Sequence, residues 1–205
     1  MNLFDPKKLL FILPRWLRFK IFNIKFLKLY KTDTGIYYLP FFAFRDVVRN
    51  TIIENKIFDN DVFERSKRYI KENSVVIDAG ANYGQLSILF SKAKPNVQVY
   101  AFEAYKYISE ILQKNVLINN SKVKVHNYIL SDESKKNLII SESILKEFNN
   151  YGSNFVDLKK KSNQGNLVDS VKIDDLNIQQ EVSFMKIDVQ GYDLKVLRGA
   201  EKTIK

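Results

Sequence analysis

Apolar positions along this chain follow two rhythms. From about Asn50 to Glu72, Ile53, Ile57, Val62, Phe63 and Ile70 recur at helical spacing among charged residues, with Asp59-Asn60 placed as a cap or a break. The next segment, Ser74-Val75-Val76-Ile77-Asp78, has no alternation: it is a continuous run of strand formers ending in an acid. Such a run predicts a strand covered on both faces, as in a parallel sheet. The rhythms then alternate, with a helix over about 85–93, a strand over 97–102, a helix over about 105–119 and a strand over 123–130. Strands and helices in this order build βαβ units and a doubly wound, mostly parallel α/β sheet.

Two stretches depart from that pattern. Thr32 to Tyr38 reads as a turn and a short strand punctuated by Gly35. Residues 132–169 are polar and rich in Lys, Asn and Ser, with Leu138-Ile139-Ile140 as a strand inside an expected insertion. The core pattern resumes at Ser170 to Leu176, followed by a strand over 182–188, the turn Val189-Gln190-Gly191 and a final helix from Tyr192 to the end. With 205 residues, 45% of them apolar, the chain can bury one substantial core. The expected division is an arm and connecting segment over 1–50 and one domain over 51–205.

Charge singles out the start of the chain. The net charge is +10, and residues 1–31 hold eight basic residues against one acid, Asp5, which leaves the remainder near +3. The longest apolar run there, Leu9 to Leu13, is short for a signal peptide and is interrupted by Pro14-Arg15. It is also far below the roughly 20 apolar residues that span a bilayer. Phe11, Trp16, Phe19, Phe22, Phe26 and Leu29 interleave with Lys and Arg, which fits an interfacial segment on a membrane surface and equally a basic helix packed on the domain or on a second subunit. No nucleic-acid partner is expected, because the arm has the residue pattern of no reader module. The chain has no cysteine, for which a reducing cytoplasm is the natural setting. His126 is the single histidine, so no metal centre is expected; its place within the 122–128 strand favours a structural role.

Four motifs carry candidate chemistry. Asp78-Ala79-Gly80-Ala81-Asn82-Tyr83-Gly84 stands where the first core strand turns into its helix, at the crevice where open α/β sheets bind ligands. Gly80 and Gly84 permit a tight turn and close backbone approach. The spacing is not G-x-G-x-x-G, which favours a ligand without a pyrophosphate. Glu103 ends the next strand about 20 residues on, where a carboxylate can accept hydrogen bonds from both hydroxyls of a ribose; a plain surface acid is the alternative. Ser131-Asp132 follows the third strand, as a partner for an adenine amine or as a simple turn. In Met185-Lys186-Ile187-Asp188, two charges at alternate positions of a covered strand would be costly to bury unpaired. Asp188 can contact the cofactor, accept a hydroxyl proton as general base, or simply pair with Lys186.

Together, in this order, these elements resemble the FkbM-type methyltransferase family over about Val75 to Lys205. The pieces are Val76 to Gly84, Ala101-Phe102-Glu103-Ala104, Leu112 to Asn119, Leu130-Ser131-Asp132, Lys186 to Gly191 and Leu197-Arg198-Gly199-Ala200. The resemblance implies a Rossmann-like class I fold and S-adenosylmethionine as methyl donor. Asp78, Gly80, Asn82 and Gly84 would lie near its amino acid end, Glu103 on the ribose and Asp132 near adenine. It also implies a hydroxyl acceptor on a sugar or glycan, as in polysaccharide biosynthesis. Gln190 replaces a glutamate and Ala104 a proline common in the family, and the family's last strands lie beyond Lys205. A nicotinamide-dependent oxidoreductase and a noncatalytic binding or scaffold protein are the competing classes.

Overall fold

In the computed structural model, residues 26–141 and 165–205 are described. Most of the basic arm, with both of its readings, and the middle of the polar insertion lie outside the described residues. The chain opens on a hairpin of β1 (Leu27–Thr32) and β2 (Gly35–Pro40). Two short helices follow, α1 (Val47–Ile53) and α2 (Asn60–Ser66). Then come β3 (Val75–Ala79), α3 (Gln85–Lys92), β4 (Gln98–Phe102), α4 (Lys106–Ile118) and β5 (Val123–His126). The last part holds β6 (Tyr128–Leu130), β7 (Lys135–Ser141), β8 (Gly165–Val171), β9 (Val182–Ile187), α5 (Asp193–Arg198) and α6 (Glu201–Ile204).

The central sheet has the order β5-β4-β3-β9, every pair parallel, so the expected Rossmann-like α/β architecture is present. All five residues of β3 are buried. Val76 belongs to the core on one face, whereas Val75, Ile77 and Ala79 belong to the core on the other, which is why the strand shows no alternation. The chain runs outward from β3 to β5 and returns to the far side of β3 as β9. This reversal puts the topological switch point at the carboxyl ends of β3 and β9.

Four details differ from the sequence reading. β1 occupies the end of the basic segment, residues expected to belong to the arm. The strand expected over 123–130 is two strands: Asn127 breaks it by turning its amide onto the carbonyls of Glu103 and Ala104, both at 2.8 Å. β6 therefore leaves the central sheet and joins β8 and β7 in a second, three-stranded one. The final helix is also interrupted. The Gly199 carbonyl accepts from Asp174 N (2.9 Å), and the Asp174 carboxylate caps α6 through Lys202 N (3.0 Å) and Thr203 N (2.9 Å). His126 ends β5 rather than lying mid-strand.

The hairpin is held by side-chain amides. Asn115 on α4 and Asn119 at its C-cap, one turn apart, meet the edge of β2 as a neighbouring strand would. Asn115 accepts from Tyr38 N (2.6 Å) and donates to Tyr38 O (3.2 Å); Asn119 accepts from Ile36 N (2.9 Å) and donates to Ile36 O (2.6 Å). Asn115 is fully buried and also donates to Tyr83 O at 2.9 Å, so one side chain joins the hairpin, the helix and the turn after β3. Asn115→Ala strands at least three buried polar groups and is expected to cost on the order of 3 kcal/mol in chemical denaturation.

His126 stacks on the rings of Phe102 (5.0 Å) and Tyr100 (5.7 Å), and its Nε2 is buried without a hydrogen bond. Burial, and secondarily the charge of Lys124, hold the imidazole below its ordinary value of 6.5. As pH falls below about 6.5, the unfolded chain therefore takes up a proton that the folded chain refuses, and stability declines. Thermal melts from pH 7.5 to 5.5 should show a smaller decline in His126→Phe than in the unaltered protein.

Candidate active site

A cleft open to solvent lies at the carboxyl ends of β3, β4 and β9. Its floor is the turn after β3. Gly80 and Gly84 have φ of +78° and +86°, and Asn82 is left-handed at +50°. Gly80 carries the tightest constraint, because a Cβ there would run into the backbone carbonyl of Asp188. Asn82 holds its left-handed backbone by accepting from Tyr83 N at 2.7 Å through its own side chain.

Asp78, fully buried, does not reach out as a free carboxylate. Its Oδ2 accepts from Ser87 at 2.5 Å, and its Oδ1 lies 3.4 Å from the ammonium of Lys186, its register partner on β9. Lys186 is only 9% exposed and donates to the Gly80 carbonyl at 3.0 Å. Its ammonium is also 3.9 Å from Asp188, whose side chain is 47% exposed at the rim. Pairing with Lys186, one of the three roles open to Asp188 from the sequence, is the longer of the two contacts; the shorter one goes to Asp78.

Glu103 closes the other side. Its Oε2 accepts from Asn82 N and its Oε1 from Tyr105 N, both at 3.0 Å, which aims the carboxylate at the turn. Each oxygen keeps a lone pair for a second donor, as a ribose diol requires. Burial pushes the Glu103 carboxyl above its usual range, against the opposing pull of those two N–H groups and of Lys186.

The structure brings Asp78, Gly80, Asn82, Gly84, Glu103 and Asp188 together around one cleft. Ser131 and Asp132 stand apart from it. The Ser131 hydroxyl turns to Asp132 at 3.1 Å, Ser131 O backs onto Gly199, and Tyr128, Ile129 and Leu130 form that wall instead. Sequence reasoning also missed the side built by residues ahead of β3. Val48 and Phe58 line the cleft, the latter placed by Gln85, which accepts from Phe58 N at 2.9 Å. Tyr83 donates to the buried Asp46 at 2.9 Å. Asp59, left-handed at the head of α2, feels the charges of Lys186 and Asp188 while burial raises its carboxyl. A non-glycine residue at such a φ was the sole local sign, and sequence does not display φ.

No curated protein sequence matches the chain. Solved structures similar to it include an S-adenosylmethionine-dependent methyltransferase from Agrobacterium tumefaciens, at 13% identity and TM-score 0.38, covering 50% of this chain and 32% of that one. A tRNA (uracil-54, C5)-methyltransferase from Pyrococcus abyssi in complex with S-adenosyl-L-homocysteine shares 17% identity at TM-score 0.36, over 52% and 24%. A putative rRNA methylase from Clostridium thermocellum shares 18% identity at TM-score 0.33, over 34% and 39%. The chain spans less than half the length of each. Residues 78–205, more than half of this chain, match the methyltransferase FkbM domain; the chain belongs to the FkbM methyltransferase family, and S-adenosylmethionine is its expected cofactor.

Proposed function

We propose that this protein transfers a methyl group from S-adenosylmethionine to a hydroxyl oxygen, with a sugar or glycan as acceptor. The observation that carries this reading is the Asp188 carboxylate. It is half exposed at the rim, just past the end of β9, the strand that adjoins the donor turn, with the Lys186 ammonium 3.9 Å behind it. Attack on a methyl carbon needs a deprotonated or deprotonating oxygen, and a carboxylate at hydrogen-bond reach of an incoming hydroxyl supplies the base.

When bound, the donor would supply an electrophilic methyl on a positive sulfonium, with a neutral thioether as the leaving group. The chain's own residues do the rest. Glu103 and the turn would fix the nucleoside, while Val48, Phe58 and Tyr128 line the cleft beside it. Asp188 receives the hydroxyl proton as the oxygen–carbon bond forms. As part of the same proposal, the enzyme works in the cytoplasm with its basic arm against an anionic membrane surface. The charge of the arm supports this, as does its described end, where Phe26 is exposed and Lys28 lies over Tyr30 (5.4 Å) and Phe41 (5.7 Å).

Radiolabelled methyl transfer to a panel of sugars and glycans tests the acceptor. Asp188→Asn is expected to lower kcat by roughly 10²-fold or more with donor affinity little changed. Glu103→Ala should weaken donor binding at least about tenfold by calorimetry. Donor binding with no transfer to any hydroxyl acceptor would sink the reading in favour of a noncatalytic binding protein. For the arm, the full chain should sediment with vesicles containing anionic lipid and stay in solution with neutral ones; equal behaviour would refute membrane contact.

A further inference from the structure

The amides of the Gly80–Gly84 turn are already committed. Gly80 N and Ala81 N both donate to Phe102 O at 3.0 Å, and Gly84 N donates to Ala81 O at 2.9 Å. Asn82 N is spent on Glu103, and Tyr83 N on the Asn82 side chain. Across the cleft, Val189 N and Gly191 N donate to the Asp193 carboxylate, both at 3.3 Å. A glycine turn that spends its N–H groups internally offers an anion nothing, unlike the loops that cradle phosphates.

The donor nevertheless carries one anion, the α-carboxylate of its methionyl end, beside an α-ammonium and the sulfonium. Left unpaired next to Asp78 and Asp188, that carboxylate would pay both desolvation and repulsion. Among the described residues that line the cleft, Lys186 is the only cation. An ammonium has three N–H donors. One reaches Gly80 O at 3.0 Å; Asp78 Oδ1 pairs with the ammonium by charge at 3.4 Å but receives no hydrogen bond, and Asp188 Oδ2, at 3.9 Å, is beyond hydrogen-bond range.

We propose that Lys186 is the donor-binding residue for the methionyl carboxylate, using an N–H that the bond to Gly80 leaves over, while the flanking carboxylates receive the α-ammonium. The inference rests on S-adenosylmethionine as donor, and it explains why a lysine is tolerated nearly buried on a central strand.

The test is calorimetry with three ligands: S-adenosylmethionine, S-adenosylhomocysteine, and 5′-methylthioadenosine, which keeps the nucleoside and lacks the amino acid end. Lys186→Met should weaken the first two at least about tenfold and leave the third within about twofold. Equal loss for all three would overturn the proposal, because it would mean a general collapse of the site; undiminished binding of S-adenosylmethionine would overturn it too. Unpairing Asp78 threatens folding, so the unaltered protein supplies a second arm. Decarboxylated S-adenosylmethionine should bind it at least about tenfold more weakly than S-adenosylmethionine, and equal affinity refutes the contact. Failure of the unaltered chain to bind any of these ligands would remove the donor assignment itself, and this inference with it.

Discussion

Where β3 and β9 end side by side, one ammonium stands between two carboxylates and a main-chain carbonyl, and the form of the cleft follows from that contact. Lys186 draws the Gly80 carbonyl towards β9. The turn consequently passes so close to the Asp188 carbonyl that no side chain fits at position 80. Having turned there, the chain enters α3 through a left-handed Asn82, whose N–H then meets Glu103. The orientation of the acid at the end of β4 is thus linked, two bonds removed, to a charge on β9. A buried ion pair of this kind contributes little net stability, and breaking one side of it is expensive because the other is left without solvent. Its value lies in geometry.

The second support comes from outside the sheet. Asn115 offers β2 the donor and acceptor of a neighbouring strand and, with the same amide, holds the carbonyl of Tyr83. Gln85 at the head of α3 accepts from Phe58 N and donates to Lys56 O at 2.9 Å, tying the loop before α2 to α3. Three amide side chains therefore do what main-chain ladders do elsewhere, and they can because each presents a donor and an acceptor in one plane.

Much of this was legible in the sequence, and the reason is locality. The β3 run, the glycine turn and the acid after β4 are each encoded within a few neighbouring residues, so the sheet and the position of the cleft could be placed from pattern, while the donor roles of the residues in the turn came from the family resemblance. What escaped depended on partners far along the chain. Asn127 reads as an ordinary strand position until the carbonyls of Glu103 and Ala104 are beside it. Ser131-Asp132 was assigned by its place after a strand, but that strand had already left the central sheet. The Lys28 to Lys31 stretch looked like the tail of a basic arm because its strand character comes from pairing with β2, which its own residues do not advertise.

The hydrogen bond from Tyr83 to Asp46 has a consequence for how such a protein is cut and inherited. The family pattern begins at Asp78, in the middle of β3, whereas Asp46, Phe58 and the hairpin clasped by Asn115 all precede it. The stretch of chain recognisable across relatives and the stretch that is mechanically whole are therefore of different lengths. Transplanting the former by itself would deliver only the last two residues of β3 and leave behind the Asp46 carboxylate to which Tyr83 donates, which makes the unmatched front of the chain a working part of the frame.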